Sequence, residues 1–236
     1  MTAGRKSKAQ QLHGLLVVDK PGLVELSSPA SQLGDSQPGD RPPRLPTSHD
    51  IVNRVRRWSD EKRIGHTGTL DPFASGVLVL TIGNTTRLTE YHQGHDKQYI
   101  GEIQLGEATD TYDCTGTVTE TAAVPKLDEA QIEAALSQFR GTIMQVPPAY
   151  SAIKQDGKTS YQQARQGKEV ALDPRSVTFY RLELLEFIPP ATLRIDIHCS
   201  TGTYIRSLAH DLGKALGTVA TLTYLRRTAV GPFTIE

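Results

Sequence analysis

The sequence is short of most residues that would assign it to a special environment. It has two cysteines, Cys114 and Cys199, far apart and outside any Cys-x-x-Cys spacing. That excludes a disulfide framework, a zinc ribbon and a thioredoxin-type redox pair, and it leads us to expect a reducing, cytoplasmic setting. Net charge is missing too, because 26 Lys+Arg offset 26 Asp+Glu. The total therefore says nothing about nucleic acid, and only the distribution of charge can. The longest unbroken runs of apolar side chains are four residues, Leu15–Val18 and Val77–Leu80. A membrane-spanning helix needs about 20, so no membrane partner is expected. The basic N-terminus, Met-Thr-Ala-Gly-Arg-Lys-Ser-Lys, is not followed by the apolar stretch of a signal peptide. There is no Gly-rich loop ending in Lys-Ser/Thr, no strand-linked Gly-x-Gly-x-x-Gly and no Gly-x-Ser-x-Gly elbow. These absences weigh against nucleoside triphosphates, dinucleotide cofactors and the serine-hydrolase elbow.

What is present suits one globular domain. The 236 residues are 37% apolar and 22% charged, and a domain takes roughly 150 residues, so one domain with an elaboration is expected. Residues 1–11 read as a flexible basic tail and 12–236 as the domain. Leu15-Leu-Val-Val18 reads as a buried strand stopped by Asp19-Lys-Pro-Gly22. Residues 23–46 turn to Ser, Pro and Gly and read as a disordered surface excursion. Ile51, Val52, Val55 and Trp58 recur at helical spacing, which predicts a helix from Ser48, with Ser48 as its N-cap. Residues 62–72 are irregular, polar and Gly-punctuated. Buried strands are expected at Gly76–Ile82 and, by strict alternation, at Leu193–Cys199. Tyr99–Leu105 alternates as a half-buried strand, and Val177–Phe187 is also strand-like. Asp128 with Gln131 predicts a capping box and Gly141 the end of the helix that follows. Ile205, Leu208, Ala209, Leu212 and Leu216 form a second apolar stripe, ended by Gly217, before a last strand at Val219–Leu225. Strands and helices mix without strict alternation, so the expected class is α+β.

Charge is segregated. Residues 101–133 are acidic, whereas 54–63 and 206–227 are basic. If the basic segments converge they make a phosphate-facing surface; otherwise they are ordinary solvated faces. The most unusual stretch is Gly65-His-Thr-Gly-Thr-Leu-Asp-Pro72. Its glycines allow a tight fold around His66, and Pro72 holds Asp71 at a stiff turn before a core strand. An Asp so placed can be a nucleophile or general base, or it can merely cap the turn. Ser200-Thr-Gly-Thr-Tyr-Ile-Arg206 enters a helix, where free N–H groups and Arg206 would hold a phosphate or pair with a carboxylate. Alternatively, Arg206 lies on the solvent face of that helix. His92-Gln-Gly-His95 lacks further ligands and reads as a solvated turn rather than a metal site.

In order along the chain, these segments resemble the motifs of the TruB-type tRNA pseudouridine synthases. The resemblance rests on Gly14-Leu-Leu-Val-Val-Asp-Lys-Pro21, Thr47-Ser-His-Asp-Ile-Val52 and Gly65-His-Thr-Gly-Thr-Leu-Asp-Pro-Phe-Ala-Ser-Gly-Val-Leu78. It continues through Lys97-Gln-Tyr99, Gly106–Asp113, Pro147–Lys154, Tyr161–Gly167, Cys199–Arg206 and Leu225-Arg-Arg227. It implies a mixed, largely antiparallel sheet flanked by helices, with an RNA-binding cleft across one face. It also implies isomerisation of uridine to pseudouridine at position 55 in the T-loop of tRNA, by base flipping and without cofactor or metal. Asp71 matches the catalytic Asp, Arg206 the Arg that holds its charge when a flipped base excludes water, and Tyr99 the base-stacking Tyr. Tyr204 and Leu225 match further pocket residues, and His66 one that helps hold the rearranged loop. Lys20 and Pro21 would shape the cleft, and Asp110 would orient Arg or Tyr neighbours. The expected partner is the tRNA T-arm, bound by a monomer with no obligatory protein partner. Residues 23–46 interrupt a join that is direct in the family, and the chain stops where many relatives continue into a small RNA-binding PUA domain. Two alternatives remain: a guide-RNA-dependent, dyskerin-like synthase and a non-catalytic RNA-binding or RNA-folding module.

Overall fold

The computed structural model describes residues 12–23, 45–151, 153–155, 158–160, 163 and 172–235. The expected tail 1–11, and 24–44 of the expected excursion, lie outside the described residues. The elements run β1 (Gly14–Lys20), α1 (Ser48–Ser59), β2 (Ile64–His66), β3 (Ser75–Ile82), α2 (Thr89–Gln93) and β4 (Lys97–Leu105). Then come β5 (Glu107–Thr109), β6 (Val118–Thr121), α3 (Glu129–Ser137), β7 (Gly141–Gln145) and the short pair β8 (Lys154–Gln155) and β9 (Lys158–Thr159). The chain closes with β10 (Arg175–Ile188), β11 (Thr192–Cys199), α4 (Ile205–Ala215), β12 (Ala220–Val230) and β13 (Phe233–Thr234).

One nine-stranded sheet organises these elements, in the order β1-β3-β12-β4-β11-β10-β7, with β2 paired to β3 and β13 to β12. Its pairings are antiparallel except β3 with β12, so the α+β, largely antiparallel expectation holds. The pattern of each strand reports its place. In β3 every residue is buried, Ser75 and Thr81 included, as in a strand covered on both faces. In β4 and β11 buried and half-buried residues alternate strictly, with Tyr99, Ile103 and Leu105 inward. By contrast β1, read as buried, is mostly half-buried, because it lies at one end of the strand order. The strand expected at Val219–Leu225, β12, runs on to Val230 and is not the last, because the short β13 folds back onto it.

Helices cover the sheet with the predicted apolar stripes. Ile51, Val52 and Val55 of α1 are buried, as are Ile205, Leu208, Ala209 and Leu212 of α4. Trp58, expected on the α1 stripe, is instead 76% exposed, because in the last turn of the helix it falls at the edge of the stripe and not on its centre. The Asp128–Gln131 capping box is present. Two helix boundaries differ from expectation. The N-cap of α1 is Thr47, in a capping box with Asp50. Ser48 is instead spent on the neighbouring loop: its hydroxyl accepts from Leu70 N at 2.9 Å and donates to Leu70 O at 3.1 Å. Helix α3 ends at Ser137, and Gly141, with φ of 81°, opens β7 instead of stopping the helix. Among the described residues no helix is long and apolar enough to cross a membrane.

The parallel pair β3–β12 sets up the site. Its register places Gly76 beside Arg227, so closely that a Cβ on Gly76 would collide with the Arg227 backbone. On the other side of β12, Arg227 is paired with Tyr99 of β4. The loop 67–74 therefore leaves β2 and re-enters the sheet directly over Arg227 and Tyr99.

Candidate active site

A cleft of about 1010 Å³ opens at this point, and Asp71, Tyr99, Arg206, Tyr204 and Leu225 are among its walls. His66 and Asp110 also line it. Lys20 and Pro21, expected to shape the cleft, are not among its walls; Lys20 is fully buried behind the loop.

The loop carrying Asp71 is held from several sides. Its own turn closes with Ala74 N donating to Asp71 O at 3.1 Å. From below, the Lys20 ammonium donates to the carbonyls of Pro21, Pro72 and Ala74 at 3.0, 3.0 and 2.7 Å. Burial, opposed by the charge of Asp71, brings Lys20 down to about 8. From β12, the Arg227 guanidinium donates to Val77 O at 2.8 Å, Gly68 O at 3.1 Å and Thr69 O at 3.4 Å. Ser48 holds Leu70. A surface loop would satisfy these carbonyls with water. Here side chains do it, which fixes the loop before anything binds.

Asp71 itself meets Arg206. Arg206 Nε donates to Oδ2 and Nη2 to Oδ1, both at 3.0 Å, a bidentate pair of the strong, orienting kind. Arg206 also donates to Thr111 O and Tyr150 O at 3.0 Å. Its Nη1 lies 3.5 Å from Asp113 Oδ2. The Arg206 side chain is 6% exposed and that of Asp71 31%. The cation is thus sealed in protein while the carboxylate stays open to the cleft. This resolves the sequence alternatives for Arg206: it pairs with a carboxylate and does not face solvent.

Asp113 is the residue that motif reading passed over. It is buried, and it accepts from Thr111 Oγ1 and Thr115 N, each at 2.9 Å. Burial raises its pKa, with the Thr115 hydrogen bond and Arg206 opposing. The available signal was the spacing Asp110-Thr-Tyr-Asp113, two carboxylates in one tight loop. We expected Asp110 to orient Arg or Tyr neighbours. Its Oδ1 accepts from Thr117 N at 2.8 Å and its Oδ2 from the Tyr150 hydroxyl at 3.4 Å, whereas the arginine falls to Asp113. Between them Tyr112 takes the left-handed conformation, φ 62°, which costs a non-glycine residue about 1 kcal/mol. Its ring stacks on His210 of α4 at 3.9 Å and 9°. That stack clamps the acidic loop onto the helix that carries Arg206.

Tyr99 is almost fully buried. Burial pushes its phenol up to about 12, with the nearby Arg227 pulling the other way, so in the free protein it keeps its proton at neutral pH. Tyr204 is fixed through its backbone, which exchanges two hydrogen bonds with the Gln145 amide at 2.8 and 3.0 Å. Burial raises its phenol as well. His66, on β2, is shifted down by burial and then by the charge of Arg227, which favours neutral imidazole. Lys97, not among the site residues expected from sequence, lies on the cleft wall. It donates to Gln93 O at 2.7 Å and Thr201 Oγ1 at 2.9 Å, and burial lowers it to about 8.

Two sequence expectations change. The basic segment 206–227 does not form a phosphate-facing surface: Arg206 and Arg227 point inward, and Arg226 pairs with Asp19 at 2.8 Å. His92 and His95 lie 3.3 Å apart, nitrogen to nitrogen, and both pack edge-on to Phe233. They form a ring cluster instead of a solvated turn.

A mixed, largely antiparallel sheet flanked by helices is the frame of the pseudouridine synthases. The chain superposes on the archaeal box H/ACA sRNP Nop10-Cbf5 complex with a TM-score of 0.62 and 26% identity, covering 95% of this chain and 50% of that one. For a Cbf5-Nop10-Gar1 complex the values are 0.63 and 27%, covering 97% and 61%. Residues 56–205 match the TruB family pseudouridylate synthase N-terminal domain, and residues 206–236 the tRNA pseudouridylate synthase B C-terminal domain. The chain belongs to the TruB family of pseudouridylate synthases. Its relatives include the tRNA pseudouridine synthase B of Bordetella avium, 42% identical over 98% of this chain and 86% of that protein. Those of Caldanaerobacter subterraneus and Symbiobacterium thermophilum are 45% and 50% identical over 83% of this chain and 68% and 66% of theirs.

Proposed function

We propose that the protein isomerises uridine to pseudouridine in tRNA, at position 55 of the T-loop, acting in the cytoplasm as a monomer without an obligatory protein partner. The observation that carries this reading is Asp71: a carboxylate held bidentately by a buried arginine, yet open to a cleft walled by aromatic rings. A binding module has no use for such a group. Identity favours the stand-alone enzymes, at 42–50% for tRNA pseudouridine synthases B against 26–27% for the Cbf5 complexes.

The reaction breaks the N1–C1′ glycosidic bond, turns the base and joins C5 to C1′. The proton on C5 leaves and N1 gains one, so the step is redox-neutral and takes no cofactor or energy source. The target base must leave its stack, at a cost of a few kcal/mol. An aromatic ring returns about 1–3 kcal/mol per stacked base, and Tyr99 offers that ring. Leu225 and Tyr204 close the pocket, and His66 faces the rearranged loop. Once the base covers the cleft, the two hydrogen bonds from Arg206 hold the Asp71 carboxylate in place to act as nucleophile or base. In the free enzyme Tyr99 is a donor and an apolar face, since it holds its proton.

Release of tritium from tRNA labelled at uridine C5 tests the reading, with Asp71→Ala beside the wild type. Release by the wild type alone, mapping to position 55, is the expected result. Binding of tRNA without release would replace the enzyme by a binding module, and release only with added partners would favour the guide-dependent alternative.

A further inference from the structure

Helix α1 begins at the cleft and ends away from it. His49, in its first turn, lines the cleft. Ile51, Val52 and Val55 face the core, and the solvent side carries His49, Arg54, Arg57 and Trp58, all exposed. Trp58 is 76% exposed, a large apolar ring left in water. It is also the single tryptophan of the chain.

The charges beside it are of one sign. Arg54, four residues before Trp58, lies on its side of the helix, and exposed Arg57 is its chain neighbour; neither has a hydrogen bond or ion pair among the described residues. Exposed Lys62 follows in the loop. Arg56 is different: it turns inward to Asn53 Oδ1 and Ile64 O, at 3.2 and 2.9 Å. The acidic neighbours are Asp60, at the helix C-cap, and Glu61, which Arg63 engages through its backbone N at 2.9 Å and its guanidinium at 3.7 Å. The negative end of the helix dipole accounts for a cation in the last turn. It does not account for Arg54 or for an exposed indole.

A fixed row of cations with a free aromatic face suits single-stranded or looped RNA. Arginine and lysine meet the phosphates, and the indole takes any unstacked base. At about 1.5 Å per residue the nine steps from His49 to Trp58 span about 13 Å, enough to carry the contact beyond the nucleotides inside the cleft. We infer that the outer face of α1, through Arg54, Arg57, Trp58 and Lys62, is a second RNA-binding surface continuous with the cleft, where the same tRNA lays its backbone and stacks one base on Trp58. This rests on the function proposed above.

The protein carries its own probe. Trp58 emission, and its quenching by acrylamide, are followed while intact wild-type protein is titrated with a tRNA transcript, and tritium release is measured in the same samples. We expect the emission to fall and acrylamide access to drop at saturation, as a stacked indole should show. The variant R54Q/R57Q/K62Q, which changes only exposed side chains, should bind tRNA more weakly. Its slope of log K against log salt should be shallower by about 2, at 0.7–0.9 per lost phosphate contact. Saturable binding with Trp58 emission and quenching unchanged, and a triple variant with the wild-type salt slope, would overturn the inference while leaving the enzyme reading intact. Quenching with no tritium release would do the reverse.

Discussion

Two buried arginines stand on either side of the Asp71 loop, and they are solvated in opposite ways. Arg206 is neutralised: it holds Asp71 at 3.0 Å and faces Asp113 at 3.5 Å. Arg227 is 2% exposed and has no carboxylate partner among the described residues. Backbone carbonyls of Gly68, Thr69 and Val77 take its hydrogen bonds. The first arrangement spends the cation on the reacting group. The second spends it on the loop that presents that group, and leaves positive charge beneath the cleft. That charge is felt nearby: Arg227 depresses Lys20, Lys97 and His66 and opposes the rise of Tyr99. One arginine thus sets where a carboxylate points, and the other sets the shape and sign of the floor.

Removing the carboxylate that Arg206 holds and the Arg227-braced loop presents should have the largest effect. Asp71→Ala is expected to reduce turnover by about 10⁴-fold or more, as for a group that reacts directly, with the fold intact by circular dichroism. Next is the neutralised arginine. Arg206→Lys keeps a charge but loses the bidentate fork, so turnover should fall about 10²-fold while tRNA affinity changes little. Arg206→Ala leaves Asp71 and Asp113 facing each other unpaired. Loss of one partner of a buried pair costs about 3–5 kcal/mol, which chemical denaturation will read. Arg227→Met should reverse that ordering. Its carbonyls lose their donors at about 1–3 kcal/mol for each group left unsatisfied. Stability falls, and turnover falls by about tenfold through a loosened loop. If Arg227→Met cost activity but no stability, the contrast between the two arginines would be wrong.

Much of this was legible in sequence where one residue does one local thing. Strict alternation announced β4 and β11, and an all-apolar stretch announced β3. The stripe of Ile205, Leu208, Ala209 and Leu212 announced α4. The Gly65–Pro72 stretch announced a stiff turn around Asp71. What stayed illegible depends on residues distant in the chain. Nothing local tells Arg206 from a solvent-facing arginine, because its partners Asp71, Thr111, Asp113 and Tyr150 come from three separate loops. Ser48 could not be known as a clasp for Leu70 when Thr47 beside it caps equally well. Arg227 reads as one more cation until the parallel pairing of β3 with β12 sets it under Gly68 and Thr69. Asp113 was hidden by Asp110, since a motif lists both carboxylates and only the left-handed turn at Tyr112 decides which one reaches the arginine.

The subtlest way to sharpen the contrast is by pH. Lys97 and Lys20 are held near 8 in the folded protein, first by burial, with Arg227 adding to the shift, against about 10.4 in an unfolded chain. Two consequences of opposite sign follow. Between pH 8 and about 10 the unfolded chain binds more protons than the folded one, so these lysines make unfolding free energy rise with pH in that window and contribute no slope below it. Over the same window the folded cleft loses positive charge, so tRNA affinity should fall. Lys97→Met should flatten both trends. Arg227→Met removes a neighbouring like charge, so it should move the onset of both toward higher pH, whereas Arg206→Lys should leave the onset in place. Paired titrations of stability and tRNA binding from pH 7 to 10 make the comparison. An identical onset in both arginine variants would mean that the floor of the cleft does not feel Arg227 as a charge, and that this residue acts through its hydrogen bonds alone.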